Sequence, residues 1–195
     1  MRVNIHTPIK TNLLDSVNVQ SKWVPFVFRK KNAWVIFSGE WKHESPGKIM
    51  FLCDPAVNFG ENYASYCSRV YSDFTLNLRF RFLKESIRPP EGGVIIYFYF
   101  KNYKNFFSFH FCLPKQRIEF VKRLKGIWSI CSGENCNFVL DQDYSVSVNS
   151  FAGTYNCQID GLDIMTVRAE DVSNGYLGIG TKFCDVEFSQ LCLNG

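Results

Sequence analysis

From Phe74 to Phe82 the chain alternates strictly, with Phe74, Leu76, Leu78, Phe80 and Phe82 apolar and Thr75, Asn77, Arg79 and Arg81 polar between them. A period of two is that of a β-strand with one dry face and one wet face. The same rhythm, broken by turn residues at intervals of about ten, recurs along most of the sequence and predicts a sandwich or barrel. After Pro89-Pro90-Glu91-Gly92-Gly93, the stretch Val94 to Phe100 is apolar on both faces. It predicts a central strand with Tyr97 and Tyr99 turned away from the core. Phe107, Phe109, Phe111 and Leu113 resume the alternation and leave Ser108, His110 and Cys112 on the opposite face. Further strands are predicted at Gln116–Lys122, Gly126–Cys131, Tyr144–Phe151, Thr154–Ile159, Leu162–Arg168, Tyr176–Thr181 and Phe183–Leu193. Asp160-Gly161 between two of them is a hairpin signal.

Upstream, Ala33–Ser38, Glu40–His43 and Lys48–Cys53 predict shorter strands punctuated by Gly39 and Ser45-Pro46-Gly47. The stretch Asp54–Ser68 shows no alternation and predicts a crossing loop or a short helical turn. No helical stripe, internal repeat or linker is present. Residues 1–195 are therefore expected to form one β-sandwich domain, with 1–20 as a loosely attached N-terminal segment.

Composition agrees: 46% hydrophobic and 21% charged residues describe a globular chain, and 16% aromatics favour strands over helices. The net charge of +4 is mild and scattered. Its compact basic run, Arg29 to Lys31, reads as a solvated loop, so no nucleic-acid partner is expected. The most apolar stretch, Gly92 to Phe100, is far below the roughly 20 residues that span a bilayer, and no membrane span is expected. No apolar signal core follows Met1, which predicts a cytoplasmic protein, or a secreted one if the N-terminus has been trimmed.

The eight cysteines could mean disulfides. Cys112, Cys157 and Cys184, however, sit within apolar alternating segments and are expected to be buried thiols, with Cys157 beside Tyr155 and Ile159 and Cys184 beside Val186 and Phe188. Cys131 and Cys136 flank a short turn and are expected to be exposed or joined to each other. Nothing has the C-x-x-C spacing of a zinc site.

Several features together resemble the concanavalin A-like lectin and glucanase superfamily, especially its laminin-G-like and 3-keto-disaccharide-hydrolase-like branches. They are Trp23, Trp34, Gly39-Glu40-Trp41, Tyr71-Ser72-Asp73-Phe74 with Leu76 and Phe80-Arg81, the Gly92-Gly93 strand, Tyr155 to Gly161, Gly178-Ile179-Gly180 and Val186 to Leu193. The resemblance implies an all-β, two-sheet antiparallel jelly roll, and a concave sheet as the ligand surface. Its hydrolytic branch carries a Glu-x-Asp-x-x-Glu strand that sets catalytic carboxylates on one face. This chain has no such motif, so no catalytic residues are assigned. Asp141 with Asp143, and Asp160 with Asp163, lie at turn signals where Asp bonds its own backbone. Some relatives hold Ca²⁺, for which Glu40, Asp185 or Glu187 could serve, but no local loop of oxygen ligands marks a site. No metal or other cofactor is expected.

If the strands from Asp73 to Lys122 form one meander, alternation projects Arg79, Arg81, Tyr97, Tyr99, His110 and Glu119 from one face. Flat Tyr rings and directed Arg and Glu hydrogen bonds are the mixture a sugar ring needs. Of the four tryptophans, Trp128 is the one expected near a pocket. The leading expectation is a non-catalytic carbohydrate-binding module whose partner is a glycan or other polar ligand. A structural or assembly jelly roll, or a divergent sugar hydrolase using Glu119 and His110 as acid and base, are the alternatives. Oligomeric state is not legible here.

Overall fold

In a computed structural model, residues 34–38, 40–45, 48–52, 61–84, 91–102, 104–169 and 174–194 are described. The segment 1–20, Trp23, the Arg29 to Lys31 run and the Pro89-Pro90 turn lie outside them. Fourteen strands follow in order: β1 (Trp34–Ser38), β2 (Glu40–Ser45), β3 (Lys48–Leu52), β4 (Glu61–Tyr71), β5 (Phe74–Phe82), β6 (Gly93–Asn102), β7 (Asn105–Cys112), β8 (Arg117–Leu124), β9 (Ile127–Asn135), β10 (Asp143–Phe151), β11 (Thr154–Ile159), β12 (Leu162–Arg168), β13 (Gly175–Lys182) and β14 (Val186–Asn194). Among the described residues they form two seven-stranded sheets. Sheet A has the order β1-β4-β13-β6-β7-β8-β9, and sheet B the order β12-β11-β10-β5-β14-β3-β2. All pairings are antiparallel.

The dry faces of the alternating strands meet in one core. From sheet B come Phe74, Leu76, Leu78, Phe80, Phe82, Val146, Val148, Tyr155 and Phe188; from sheet A come Val94, Ile96, Phe98, Phe109, Phe111, Ile118 and Phe120. The rings contact across the gap. Phe98 stacks on Tyr155 at 4.3 Å between centroids, and Phe80 meets Phe111 edge-on at 5.3 Å. Each such ring removed from water contributes roughly 1.5–3 kcal/mol, so the aromatic bias of the sequence is a property of this core. Cys157 and Cys184 are buried within it beside the expected neighbours, and Cys112 is buried as well.

The Asp160-Gly161 hairpin that the sequence marked joins β11 to β12. Asp160-Gly161 turns with φ of 51° and 80°, and Lys125-Gly126 and Ala152-Gly153 adopt the same left-handed pair. That geometry, a type I′ turn, matches the strand twist. Asp160 Oδ1 accepts the Ser145 N–H of the neighbouring strand at 2.9 Å, a cross-strand tie rather than a bond to its own turn backbone.

Two expectations are corrected. From Glu61 on, the stretch read as a loop or helical turn belongs to β4, which continues to Tyr71 and is hydrogen-bonded to β1 on one side and β13 on the other. Its sequence ENYASYCSRVY carries little apolar alternation, and its pairing is made by backbone. Second, the strands from Asp73 to Lys122 are not one meander. β5 belongs to sheet B and β6 to sheet A, so the chain changes sheets between Leu83 and Glu91. Alternation identifies a strand's dry side, but strands on either side of a shared core have the same pattern.

Candidate functional site

This change of sheet splits the predicted face. Arg79 and Arg81 project from the outer side of sheet B, whereas Tyr97, His110 and Glu119 project from the outer side of sheet A, across the full thickness of the sandwich. Arg79 Nε reaches Ser145 Oγ at 3.4 Å. Arg81 reaches Glu187 at 3.2 Å, and Glu187, only 6% exposed, also takes Lys48 at 3.2 Å. These are cross-strand ties along β5, β14 and β3. They also occupy the Glu187 carboxylate weighed as a Ca²⁺ ligand. Among the described residues no group of three or more His, Cys, Asp or Glu converges as a metal site.

Tyr99 is the third departure. It has φ of 53°, and the β6–β7 register slips between Phe98 and Asn102. A bulge of this kind turns the following side chain over. Tyr99 consequently packs against the main core, stacked on Phe107 at 5.3 Å, while Phe100 joins the outer face. Gly175 leaves room for the bulge, since a Cβ there would strike the Tyr99 backbone.

On the outer side of sheet A, backbone register lines up two rows. One runs Gly180, Ile95, His110, Glu119, Gly133; the next runs Gly178, Tyr97, Ser108, Val121, Ile130. Glycines let large side chains lie flat across neighbouring strands. The Tyr97 ring covers Gly178, the Arg117 guanidinium covers Gly133 and the His110 ring lies against Gly93; a methyl group at any of the three would collide. Tyr97 forms a second buried cluster with Ile95, Phe100, Phe106 and Tyr176. The result is a floor rather than a fringe of side chains: Tyr97 is 0% exposed, His110 7% and Glu119 3%.

The floor is charged at one point. Glu119 Oε1 faces Lys115 Nζ at 3.2 Å and Arg117 Nε at 3.6 Å. Its other oxygen is 3.9 Å from His110 Nδ1, too long for a hydrogen bond. Burial, assisted by Lys182 and Lys115, lowers the His110 pKa to about 3 against the opposing pull of Glu91. His110 is therefore a neutral imidazole at pH 7 and a feeble general base, which weighs against the acid–base role considered for the pair. Its Nε2 and the neighbouring Ser108 Oγ are buried without a hydrogen-bond partner among the described residues. Buried polar groups are nearly always paired, so these two atoms are exceptions within the floor.

At the rim stands Trp128, 37% exposed. Phe106 meets its ring edge-on at 5.6 Å, the Arg123 guanidinium lies 5.3 Å from it and Lys182 Nζ 5.5 Å. Sequence reading singled out Trp128 but missed Arg123 and Lys182 beside it, Lys115 and Arg117 on Glu119, and Ser108 in the floor. Alternation along β8 does place Arg117, Glu119 and Arg123 on one side, so part of that signal was present. The convergence of Lys182 from β13 was not.

No family model matches the chain, and no curated protein matches its sequence. Solved structures do. A carbohydrate-binding module, CBM66, from Bacillus subtilis superposes with a TM-score of 0.71 at 15% identity, covering 83% of this chain and 95% of that one. The carbohydrate recognition domain of Emp47p gives 0.66 at 10% identity over 90% and 91% of the two chains. A Bacillus licheniformis β-glucanase gives 0.61 at 11% identity over 86% and 94%. Identities this low speak for architecture, and they include a binding module and an enzyme on the same scaffold. By that architecture the chain has the two-sheet antiparallel jelly-roll fold that these three structures share.

Proposed function

We propose that this chain is a non-catalytic carbohydrate-binding module and that its glycan lies on the outer side of sheet A against Trp128. The observation that carries the reading is the combination on one face of an exposed indole with Arg123 and Lys182 beside it, above a floor holding Ser108 and His110. A sugar ring presents an apolar face to stack on an aromatic and equatorial hydroxyls to meet directed donors and acceptors, and this face offers both. Two of the similar structures are named for carbohydrate binding or recognition, which supports the reading as analogy. Of the residues expected from sequence, Tyr97, His110 and Glu119 remain with the site as its floor, while Arg79, Arg81 and Tyr99 are left outside it.

A glycan array followed by calorimetric titration of the best hits tests this. Wild-type protein is expected to bind, and Trp128→Ala to bind at least about tenfold more weakly while circular dichroism shows it still folded, since the ring is at the rim. Absence of binding by the wild type to every glycan presented would remove the proposal.

A further inference from the structure

We infer that the β8–β9 hairpin tip is a docking surface for an anionic lipid membrane. Between Gly92 and Gly133 the sequence holds seven Lys and Arg residues (Lys101, Lys104, Lys115, Arg117, Lys122, Arg123 and Lys125) against one carboxylate, Glu119. Glu119 is engaged by Lys115 and Arg117. The other five cations gather at one end of sheet A. The β6–β7 and β8–β9 turns lie side by side there, joined by Gly126 N–H donating to the Lys104 carbonyl at 2.9 Å and Lys125 N–H donating to Asn105 Oδ1 at 3.0 Å. Phe106 pairs with Arg123 and Phe107 with Lys122 across β7 and β8, which brings the remaining charges to the same end.

Among these cations the hairpin exposes large apolar side chains: Leu124 is 45% exposed, Ile127 70%, Trp128 37% and Ile130 57%. They are on both sides of the ribbon. Leu124 and Ile127 face each other on the side that, farther along β8, turns Ile118 and Phe120 into the core; Trp128 is on the other side with Arg123. A protein partner docking on a sheet face needs apolar groups on that face only. A hairpin whose end is apolar on both sides suits a medium that surrounds it, as the acyl boundary of a bilayer does. The flanking Lys and Arg can meanwhile reach up to phosphate and carboxylate headgroups. The tight Lys125-Gly126 turn keeps the tip narrow.

Vesicle co-sedimentation of the full chain tests the inference. Vesicles with 30% phosphatidylserine in phosphatidylcholine are expected to retain the protein, and phosphatidylcholine alone to leave it in solution. Lys104→Ala combined with Lys125→Ala is expected to weaken partitioning about 30-fold. Leu124→Ser combined with Ile127→Ser is expected to weaken it about tenfold or more. These side chains are exposed, so circular dichroism melts should match the wild type and separate lost docking from lost folding. No retention on phosphatidylserine vesicles would overturn the inference. So would retention that Leu124→Ser with Ile127→Ser leaves unchanged, because that outcome shows adsorption by charge alone without the apolar tip entering the bilayer.

Discussion

His110 is an imidazole that the fold keeps from its proton. Its pKa is lowered to about 3 mainly by burial, whereas in the unfolded chain it titrates near 6.5. A base with a depressed pKa takes up its proton first in the unfolded state, so acid favours unfolding. The cost begins as pH falls below about 6.5 and levels off below about 3. By pH 5 it amounts to roughly 2 kcal/mol. Denaturant titrations at pH 7 and pH 5 should show His110→Gln losing about 2 kcal/mol less than wild type over that interval; equal losses would mean that His110 titrates near its ordinary value. Tyr97 and Tyr99 show where residue-level reading stops. Their spacing of two assigns both to the outer face, and Tyr97 is there, but the bulge at Tyr99 reverses the second. Nothing in Phe98-Tyr99-Phe100 as a string of aromatics marks which residue takes the positive φ.

At the scale of elements, strands with an apolar face were legible and a strand without one was not. β5, β7, β10 and β11 each write their buried side into the sequence, while β4 is held by its neighbours' backbones. Strand glycines are informative in retrospect, because Gly178 in β13 is where the Tyr97 ring of β6 must lie. Gly178→Ala should therefore destabilise the protein by about 1–3 kcal/mol through overpacking, measured by chemical denaturation. Gly161→Ala meets no neighbour and carries only the strain of its φ of 80°, so it should cost about 1 kcal/mol. If Gly178→Ala costs less than Gly161→Ala, Tyr97 does not rest on β13 as described.

For the whole molecule, the thiols report which surfaces are inside. Cys112, Cys157 and Cys184 are buried, Cys131 and Cys192 are exposed and Cys136 is half-buried, and none of these six is in a disulfide. Burial raises the Cys112 and Cys157 thiols further from reactivity. Alkylation of the native protein followed by peptide mass spectrometry should label Cys131 and Cys192 and spare the three buried residues until denaturant is added. Early labelling of Cys157 would contradict the core.

The division of the predicted face between two sheets is also a whole-molecule fact. It depends on where the chain crosses the sandwich, which local alternation does not encode, and it leaves two outer faces with different chemistry. That of sheet B is a polar ladder in which Asn156 and Gln158 donate to Asp163. That of sheet A has the indole, the arginines and the aromatic floor. An ¹⁵N-resolved NMR titration with a bound glycan decides between them most directly. Shifts concentrated in β7, β8 and β9 around Ser108, Arg123 and Trp128 are the predicted result. Shifts confined to β5, β10 and β14 around Arg79 and Arg81 would contradict the account.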